Sequence, residues 1–472
     1  MARIAVIGAG MGAMATAARL AVAGHQVTVY ERGATYGGAV GRYERDGFAF
    51  DTGPGLLHLP AVYRDLFVKT GKRSLEDCVD MVQVDPAVRH VLPHHGIDVT
   101  LPGASRGGAA AALDTAFGEG AGERWNGVLG RARDAWDATR RPLLEEPLRP
   151  ERQQLGDDPY PALRKSGLLR RRPPTLAEVA ARELGGGLGE LLTGLVRSYG
   201  VDPGGAPGSA AVLPYMEQTF GTWYVRGGMR ALATAVYERC RERGVEFVFG
   251  AEVREVRTTE GRASGLLLAD GTEPAADHVV CGIDPRRLPA SSLPWPPDAV
   301  PARGAGVPSR MTLFLALRGS RPAGAAHRTL VHSPGPQITV LRPDDAATRP
   351  DAEHEAVTVS AVCGPQQAPA AEELLELAGQ AVPGLRERLL WHEVRTPADV
   401  EAATGALGGA VPPPALAGAG GRLLYPANTT AVPGLYLAGG WAHPGGGLPH
   451  AGMTGALVAG LIVEGAEFRG SQ

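Results

Sequence analysis

The sequence predicts an α/β fold in which a domain built on a parallel sheet is interleaved with a second, α+β domain. Three observations lead to this prediction. A strand–turn–helix–strand unit begins at residue 3. A largely helical pattern follows between about residues 85 and 225. A buried strand near residue 435 then resembles the strands of the first unit. A chain of 472 residues also exceeds one ordinary core, which favours two closely packed domains.

The first unit has the order and spacing of a dinucleotide-binding site. Ile4–Ile7 is an apolar run that predicts a buried parallel strand, and Met11–Ala23 is a run of small residues that predicts a helix. Val27–Tyr30 predicts a second strand, which ends in the acid Glu31. Because all the parts arrive in the right order, the pattern is stronger than a glycine motif alone.

The turn between the first strand and the helix supplies the groups that phosphates need. Gly8 permits a tight turn, Gly10 lets the backbone approach a pyrophosphate, and Ala13 keeps the helix close to the sheet. The amide groups at the helix N-terminus would bind the phosphates, and Glu31 is placed to accept a hydrogen bond from a ribose hydroxyl. By themselves these residues fit NAD as well as FAD.

A second glycine motif follows directly. Gly37 and Gly38 come shortly after Glu31 and suit a loop that passes close to a cofactor. Phe48 and Phe50 alternate like a short strand with one buried face. Simple nicotinamide dehydrogenases continue here into another βαβ unit, whereas this chain makes a glycine loop and a hairpin-like segment.

The rest of the chain alternates between the two domains. We predict a cofactor domain from residues 1–75, 224–288 and 431–472, a largely helical part of the second domain at 76–223, and its mixed-sheet part at 289–430. The elements expected in the second domain are Gln83–Val91 and Ile97–Leu101 as a hairpin, Ala109–Leu148 and Leu176–Tyr199 as helical stretches, Met311–Leu317 and Val357–Val362 as strands, and Ala371–Val382 as a helix. Those expected in the cofactor domain are a helix at Arg230–Arg243, strands at Val245–Phe249, Asp277–Cys281 and Leu435–Ala438, a hairpin at Gly265–Thr272, and a last helix at Gly452–Val463.

Three motifs carry a resemblance to a known family. They are the segment from Gly37-Gly38 to Asp51-Thr52-Gly53-Pro54, the run from Tyr224 to Met229, and Leu435–Gly439 with His443–Pro449. With them the chain resembles the phytoene desaturase-like family of amine-oxidase-type flavoproteins over residues 1–60, 224–285 and 433–470. The resemblance implies a Rossmann-like FAD-binding domain of the glutathione-reductase type, interleaved with an α+β substrate domain that has a mixed sheet and a helical insertion.

The resemblance also implies an activity and a set of cofactor contacts. The expected activity is oxidation of C–H bonds in a hydrophobic, polyene, isoprenoid or polyketide-like molecule by hydride transfer to flavin N5, with oxygen or another acceptor reoxidising the flavin. The residues expected to bind FAD, without a covalent link, are Gly8, Gly10, Gly12, Ala13, Glu31, Arg32, Gly37, Gly38, Arg42, Pro54, Val253, Gly439, Gly440, Gly447 and Met453. The Val253 backbone is expected at the adenine, and its alternative is an ordinary strand valine.

The chain departs from the family at two places. Ala39 stands where a basic residue is common, and Arg42 is the substitute we consider. The start of the last helix, Ala451–Gly455, differs from typical carotenoid desaturases. These departures bear on the substrate and leave the flavin prediction unchanged.

Three residues are candidates for catalysis. His443 is the first choice because its loop follows the last predicted strand, and its alternative is a histidine that stabilises a turn beside proline. Arg226 and Tyr224 precede the return into the cofactor domain, with a structural ion pair and core packing as their alternatives. A conjugated substrate spreads developing charge, so a strong protein base is not required. Core packing is also the simpler expectation for the aromatic residues at this junction, Tyr199, Tyr215 and Trp223.

Two further clusters have simple explanations. His90, His94 and His95 surround a predicted hairpin turn with no acid or cysteine at ligand spacing, so we expect a solvated turn and no metal. Arg164-Lys165 and Arg170–Arg172 flank two leucines. A solvated loop is the simpler interpretation, and a peripheral membrane contact stays open beside it.

The composition excludes several classes of protein. A formal net charge of −3 gives no argument for a nucleic-acid partner. Scattered cysteines at 78, 240, 281 and 363 are expected to be buried thiols of a reducing compartment. No apolar run reaches membrane-spanning length and no leader is recognised, so we expect a cytoplasmic protein, with membrane association left open. The excess of arginine over lysine, with abundant alanine, glycine and proline, indicates a GC-rich, bacterial genome.

Three alternative functions remain open at this point. An amine oxidase on the same fold is expected to use an aromatic cage and often a lysine-held water, yet the only lysines are Lys69, Lys72 and Lys165. A flavin-dependent isomerase would use reduced flavin without net turnover of electrons. A flavin-free binding or escort protein would not need the intact glycine turn. The sequence does not predict the oligomeric state.

Overall fold

The computed structural model describes residues 1–103, 105–149, 153–160, 173–293 and 307–470. The strands are β1 (Arg3–Ile7), β2 (Gln26–Glu31), β3 (Arg42–Arg45), β4 (Phe48–Asp51), β5 (Leu57–His58), β6 (Met81–Gln83), β7 (Val88–Leu92), β8 (Ile97–Leu101), β9 (Thr222–Val225), β10 (Glu246–Phe249), β11 (Val253–Thr259), β12 (Arg262–Leu268), β13 (His278–Cys281), β14 (Ser309–Arg318), β15 (Arg328–Val331), β16 (Ile338–Leu341), β17 (His354–Cys363), β18 (Leu389–Arg395) and β19 (Leu435–Leu437). The helices are α1 (Met11–Val22), α2 (Ala61–Thr70), α3 (Arg106–Phe117), α4 (Ala121–Arg140), α5 (Leu176–Val179), α6 (Gly186–Ser198), α7 (Val212–Phe220), α8 (Met229–Glu242), α9 (Ala371–Gly379), α10 (Leu385–Arg388), α11 (Pro397–Thr404) and α12 (Leu448–Val463).

A five-stranded parallel sheet forms the centre of the cofactor domain, in the order β10-β2-β1-β13-β19. The side chains of β1 alternate between its two faces. Ile4 and Val6 pack against α1 and α8, whereas Ala5 and Ile7 pack under the antiparallel pair β11–β12. The sheet is therefore covered by helices on one face and by a β-hairpin on the other, which confirms the predicted Rossmann-like fold class.

Small residues bring the two ends of the chain together in this domain. A Cβ built on Gly455 in α12 would lie 2.7 Å from the carbonyl carbon of Ala15 in α1. A Cβ on Gly12 would lie 2.7 Å from the Cα of Gly439. Larger side chains at these glycines would separate the helices, so the last segment of the chain lies directly against the first glycine turn.

The second domain is built on a seven-stranded mixed sheet in the order β18-β14-β17-β16-β15-β7-β8. Its longest pairing joins β14 and β17 antiparallel, from Ser309 opposite Cys363 to Arg318 opposite His354. β7 pairs with β15 in parallel, and β8 forms the edge. The hairpin that precedes the helical insertion is thus part of the mixed sheet.

The helical insertion packs against the cofactor domain. α4, α6 and α7 share one apolar core, and this core also contains Met453 and Ala456 from α12. Each predicted helical stretch of the insertion is interrupted at a glycine. In Ala109–Leu148, α3 ends at Gly118, where φ is +90°. In Leu176–Tyr199, the helix breaks at Gly185, where φ is +69°. Glycine adopts these backbone conformations without the steric cost that other residues incur.

Three further predictions differ from the structure at element boundaries. The chain turns back after Leu268 as expected, where the Leu268 amide donates to the Thr272 carbonyl at 2.9 Å. The longer hairpin partner of this strand is β11, however, and β11–β12 turns at Glu260-Gly261, where both residues have positive φ. The strand expected at Gln83 pairs with β9 in a small separate sheet, and the hairpin strand begins at Val88. The last helix begins at Leu448 rather than Gly452, because Pro449 fits the first turn, where its missing amide is not needed.

The cysteines and the helices bear on two further predictions. All four cysteines are free thiols, and Cys240, Cys281 and Cys363 are buried. Among the helices that the structure describes, none has both the length and the apolar character to cross a bilayer.

Candidate FAD and substrate site

The first turn of the cofactor domain has the shape of a phosphate cradle. Gly8 has a φ of +87°, and its amide donates to the Tyr30 carbonyl at 2.8 Å. Gly10 precedes α1 with an ordinary φ of −73°, and a Cβ built on it meets no atom of the described chain within 4 Å. No side chain caps α1 in the described residues, and its first turn has no acid. This open space beside free amide groups fits an anionic ligand.

The glycine pair faces the same turn. The Gly37 amide donates to the Ala9 carbonyl at 2.8 Å, and a Cβ on Gly38 would lie 3.0 Å from the Cα of Gly10. Both members of the pair have positive φ, +103° and +58°. The structure thus brings the two predicted glycine motifs together, and their contact with the cofactor stays a prediction.

Glu31 lies at the end of β2 beside the cradle. Its Oε2 accepts from the Ala9 amide at 2.8 Å, and its Oε1 accepts from the Gly33 amide at 2.7 Å. Because each carboxylate oxygen has a second lone pair, both can still accept from ribose hydroxyls. Arg32 is directed elsewhere, since its Nη2 donates to the Ala402 carbonyl of α11 at 2.6 Å. This bond connects the two domains and is an alternative to the predicted cofactor contact.

Val253 is held near Glu31 by the chain that precedes it. The Ala251 amide donates to the Glu31 carbonyl at 2.9 Å, and the Gly250 amide donates to the Gly33 carbonyl at 3.0 Å. β11 therefore starts beside the end of β2. This is the side of the cradle where the adenine is expected.

The C-terminal segment closes the cradle from the other side. Gly439 follows β19 with a φ of +82°, and a Cβ on Gly440 would lie 3.3 Å from the Cα of Gly446. Gly447, with a φ of +94°, immediately precedes α12. Met453 lies in the second turn of that helix and packs into the core of the helical insertion, so its predicted contact with FAD stays a prediction.

Arg42 and Asp51 join the β3–β4 hairpin to the motif that precedes α8. Arg42 donates from Nη1 to the Gly227 carbonyl at 2.8 Å and from Nη2 to the Ala347 carbonyl at 3.1 Å. Asp51 accepts from the Met229 amide at 2.8 Å. Burial raises the pKa of Asp51 to about 6, although this hydrogen bond opposes the shift.

Of the remaining predicted residues, Pro54 and Arg226 lie at the surface and Tyr224 is buried. Arg226 pairs with Asp80 at 3.2 Å and is about half exposed, which favours the alternative of a structural ion pair. The Tyr224 hydroxyl donates to Asp345 at 2.9 Å. Pro54 follows β4 and is exposed.

His443 is completely buried behind the glycine loop. Its Nε2 donates to the Glu146 carbonyl at 3.0 Å, and its amide donates to the Pro426 carbonyl at 2.8 Å. The Asn428 side chain donates to the His443 carbonyl at 2.8 Å, and the peptide bond to Pro444 is cis. These contacts favour the alternative of a histidine that stabilises the loop, and its catalytic role stays a prediction.

A small cavity opens where the helical insertion meets α12. It has a volume of about 30 Å³ and is mostly apolar, and its lining includes Trp136, Leu144, Val212, Leu213, Met216 and His450. His450 lies in the first turn of α12, next to the expected flavin position. His450 was not among the predicted site residues, because the helix was predicted to start four residues later. Pro449, in the first turn of the helix, is the signal that could have located it.

A buried polar cluster lies at the other side of the domain junction, between β5, α7 and β15. Arg328 and Glu217 form an ion pair at 2.8 Å, and the Tyr199 hydroxyl donates to Glu217 at 2.7 Å. Burial alone would raise the pKa of Glu217, but the charge of Arg328 brings it below its usual range. His58 and Thr222 are opposite each other on β5 and β9, and within the described residues His58 Nδ1 and Thr222 Oγ1 have no hydrogen-bond partner. The ion pair joins residues 111 apart, so no local pattern could predict it.

In the structure, the histidine turn is joined by an acid from a helix about 95 residues further along the chain. His94 and His95 each donate from Nε2 to Glu190 of α6, both at 2.9 Å. His90 is separate and buried, with its Nδ1 2.9 Å from Nε2 of His332. The turn is therefore fixed to α6 by hydrogen bonds, and the expectation that no metal binds there stays a prediction.

Of the two junction aromatics, Tyr215 is a buried core residue, whereas Trp223 is half-buried and packs against the edge of a core. Tyr215 meets Phe220 edge-on with ring centroids 6.4 Å apart, and the Trp223 indole donates to the Phe220 carbonyl at 3.1 Å. The basic segment Arg164–Arg172 lies outside the described residues.

The fold and the cradle together define the class of protein: a dinucleotide-binding protein with a cofactor domain of the glutathione-reductase type. The open space at Gly10, the uncapped start of α1 and the carboxylate of Glu31 fit the pyrophosphate and ribose of a dinucleotide. The chain belongs to the flavin containing amine oxidoreductase family, whose sequence profile matches residues 14–463. FAD is accordingly its cofactor.

Comparison with individual proteins supports the same placement. The chain is 30% identical to hydroxyneurosporene desaturase of Cereibacter sphaeroides, covering 98% of this chain and 97% of the relative. It is 28% identical to 4,4'-diapolycopene oxygenase of a Methylomonas species, covering 98% of each chain. An oxidoreductase from Methanosarcina mazei has the same fold, with a TM-score of 0.64, 18% identity, and coverage of 96% of this chain and 98% of that one. The family resemblance drawn from the sequence motifs is confirmed.

Proposed function

We propose that this protein is a desaturase that oxidises C–H bonds of a hydrophobic, polyene-like molecule. The single observation that carries the proposal is the apolar cavity between the helical insertion and the first turn of α12. Bound FAD supplies the oxidising power by accepting a hydride at N5. The protein's own part is to hold the reacting carbon against the ring and to exclude water.

The chemistry of the lining supports an apolar substrate. Trp136, Leu213 and Met216 line the cavity, and each is nearly fully buried. The relatives named above are a desaturase and an oxygenase of polyenes, which fits this lining. A cavity of about 30 Å³ holds little more than a water-sized group. A polyene therefore requires α4 and α7 to move apart from α12, and we expect substrate binding to open this junction.

The proposal is tested with FAD-loaded protein and a polyene probe under anaerobic conditions. Phytoene and 4,4'-diapophytoene, dispersed in detergent, are incubated with the enzyme, and products are analysed by mass spectrometry. The expected result is loss of two hydrogens from the probe, with one product formed per reduced flavin. No oxidation of either polyene, together with hydrogen peroxide formation from simple amines in air, would replace the desaturase proposal by the amine oxidase alternative.

Three finer points belong to the same proposal. Oxygen or another acceptor reoxidises the flavin, and the two are distinguished by whether turnover in air produces hydrogen peroxide.

The protein is cytoplasmic and meets its lipophilic substrate at a membrane surface. Sedimentation with anionic lipid vesicles tests this contact, and a protein that stays in the supernatant at low salt would contradict it.

A further inference from the structure

Among the described residues that line the cavity, only His450 has a buried side-chain nitrogen or oxygen without a hydrogen-bond partner. It is 9% exposed and lines the cavity. Among the described residues, its Nδ1 has no hydrogen-bond partner. Its neighbour His443, by contrast, donates to the Glu146 carbonyl.

A buried imidazole nitrogen without a hydrogen-bond partner lowers the stability of the fold, so it indicates a position where a bound molecule supplies the partner. Leaving a buried polar atom unpaired costs about 1–3 kcal/mol, and most such atoms in folded proteins are paired. A Cβ built on Gly447, in the loop expected to lie at the flavin, would be 3.6 Å from this Nδ1, and His450 also lines the apolar cavity. A molecule bound at this junction can therefore reach the nitrogen. The groups that line the cavity opposite His450 are apolar apart from Thr139, Ser209 and Arg140. Thr139 and Ser209 donate to the carbonyls of Ala135 and Ala417 and are already engaged.

The position of His450 keeps its imidazole neutral. Burial, and secondarily the nearby His443, lowers the pKa of His450 to about 4. The N-terminus of α12 carries partial positive charge, which also disfavours an imidazolium. At neutral pH His450 therefore has a nitrogen lone pair that can accept a proton.

We propose that His450 is the proton acceptor of the oxidation. This inference rests on the proposed function. Desaturation breaks two C–H bonds on adjacent carbons. One hydrogen leaves with its bonding pair to the flavin; the other leaves as a proton to the imidazole, and its bonding electrons form the new C=C bond. The imidazolium then releases the proton to solvent, so that the substrate has lost two electrons and two protons in total.

A weak base is sufficient for this step. Hydride loss leaves positive charge on the substrate, and conjugation spreads that charge without removing the acidity of the neighbouring C–H bond. The proton therefore moves readily to an imidazole of low pKa. A positioned acid–base group typically contributes a factor of about 10²–10⁴ to the rate.

The test compares His450→Ala and His450→Gln with the wild-type holoenzyme and with His354→Gln. His354 is a half-buried histidine at the start of β17 that pairs with Asp351. Flavin content is read from absorbance, and phytoene affinity is read by titrating the reduced, anaerobic enzyme, which cannot turn over. Product formation is then timed in a single anaerobic turnover, with and without added imidazole.

The expected result is full flavin content and unchanged phytoene affinity, with product formation slowed about 10²–10⁴-fold in both His450 variants. Imidazole should restore the rate in His450→Ala, where it can occupy the vacated space. It should not restore the rate in His450→Gln, whose side chain fills that space.

Two outcomes would overturn the role of His450 and leave the proposed function standing. One is product formation at the wild-type rate in His450→Gln. The other is a slow His450→Ala enzyme whose rate imidazole does not restore. A wild-type enzyme that neither binds nor oxidises phytoene and 4,4'-diapophytoene would instead remove the proposed function, and the assignment with it. If His450→Ala loses its flavin, His450→Gln still decides the question, because its side chain preserves the packing.

Discussion

Replacing Gly10 by valine separates the folding role of the glycine turn from its binding role. The backbone at Gly10 has φ −73° and ψ 168°, which any residue adopts. No atom of the described chain lies within 4 Å of the added Cβ. We therefore expect the free energy of unfolding of Gly10→Val to stay within about 0.5 kcal/mol of the wild-type value.

The effect of Gly10→Val on FAD should be large because the valine occupies the space of the pyrophosphate. A hydrogen bond to a charged group contributes about 1.5–3 kcal/mol, so losing two amide–phosphate bonds costs roughly 3–6 kcal/mol. This corresponds to an affinity about 10²–10⁴-fold weaker. Fluorescence titration with FAD measures the affinity, and urea unfolding measures the stability.

The contrast variant is Gly12→Ala. Its Cβ would lie 2.7 Å from the Cα of Gly439, so this substitution should lower the free energy of unfolding as well as FAD binding. Wild-type FAD affinity in Gly10→Val would refute the placement of the pyrophosphate. Unfolding of Gly10→Val would refute the conclusion that the space is open.

Two other predictions concern buried groups. The folded-state pKa of Asp51, about 6, is raised above its unfolded value, so the stability that Asp51 contributes is present below about pH 4 and is lost as the pH rises through 6. Asp51→Asn should therefore gain in Tm relative to the wild type between pH 4 and 7, and a constant Tm difference would contradict this. His443→Ala should lower the free energy of unfolding by about 1–3 kcal/mol in urea, because the Glu146 carbonyl loses a donor. A fall in turnover at unchanged stability would instead support the catalytic role of His443.

Local patterns predicted the cofactor domain well. β1, α1 and β2 lie within about one residue of their predicted positions, because each depends on neighbouring apolar residues and on the glycine turn. The mixed sheet was harder to predict. β7 pairs with β15, which is more than 200 residues away, and no local pattern specifies that partner. The contact of Glu190 with His94 and His95 was equally hard to predict, because it depends on the tertiary packing of α6 against the turn.

The start of α12 shows how a small boundary error changes a functional conclusion. A helix that began at Gly452 would leave both His443 and His450 in a loop. His443 would then be the preferred catalytic candidate, because it lies closer to the last strand. With the helix beginning at Leu448, His450 occupies the first turn and faces the cavity, while the loop turns His443 inward to the Glu146 carbonyl. The local signal was proline, which the first turn of a helix accepts. The burial of each histidine, however, depends on the helical insertion, which approaches from residues 136–146 and which the local sequence around α12 does not specify.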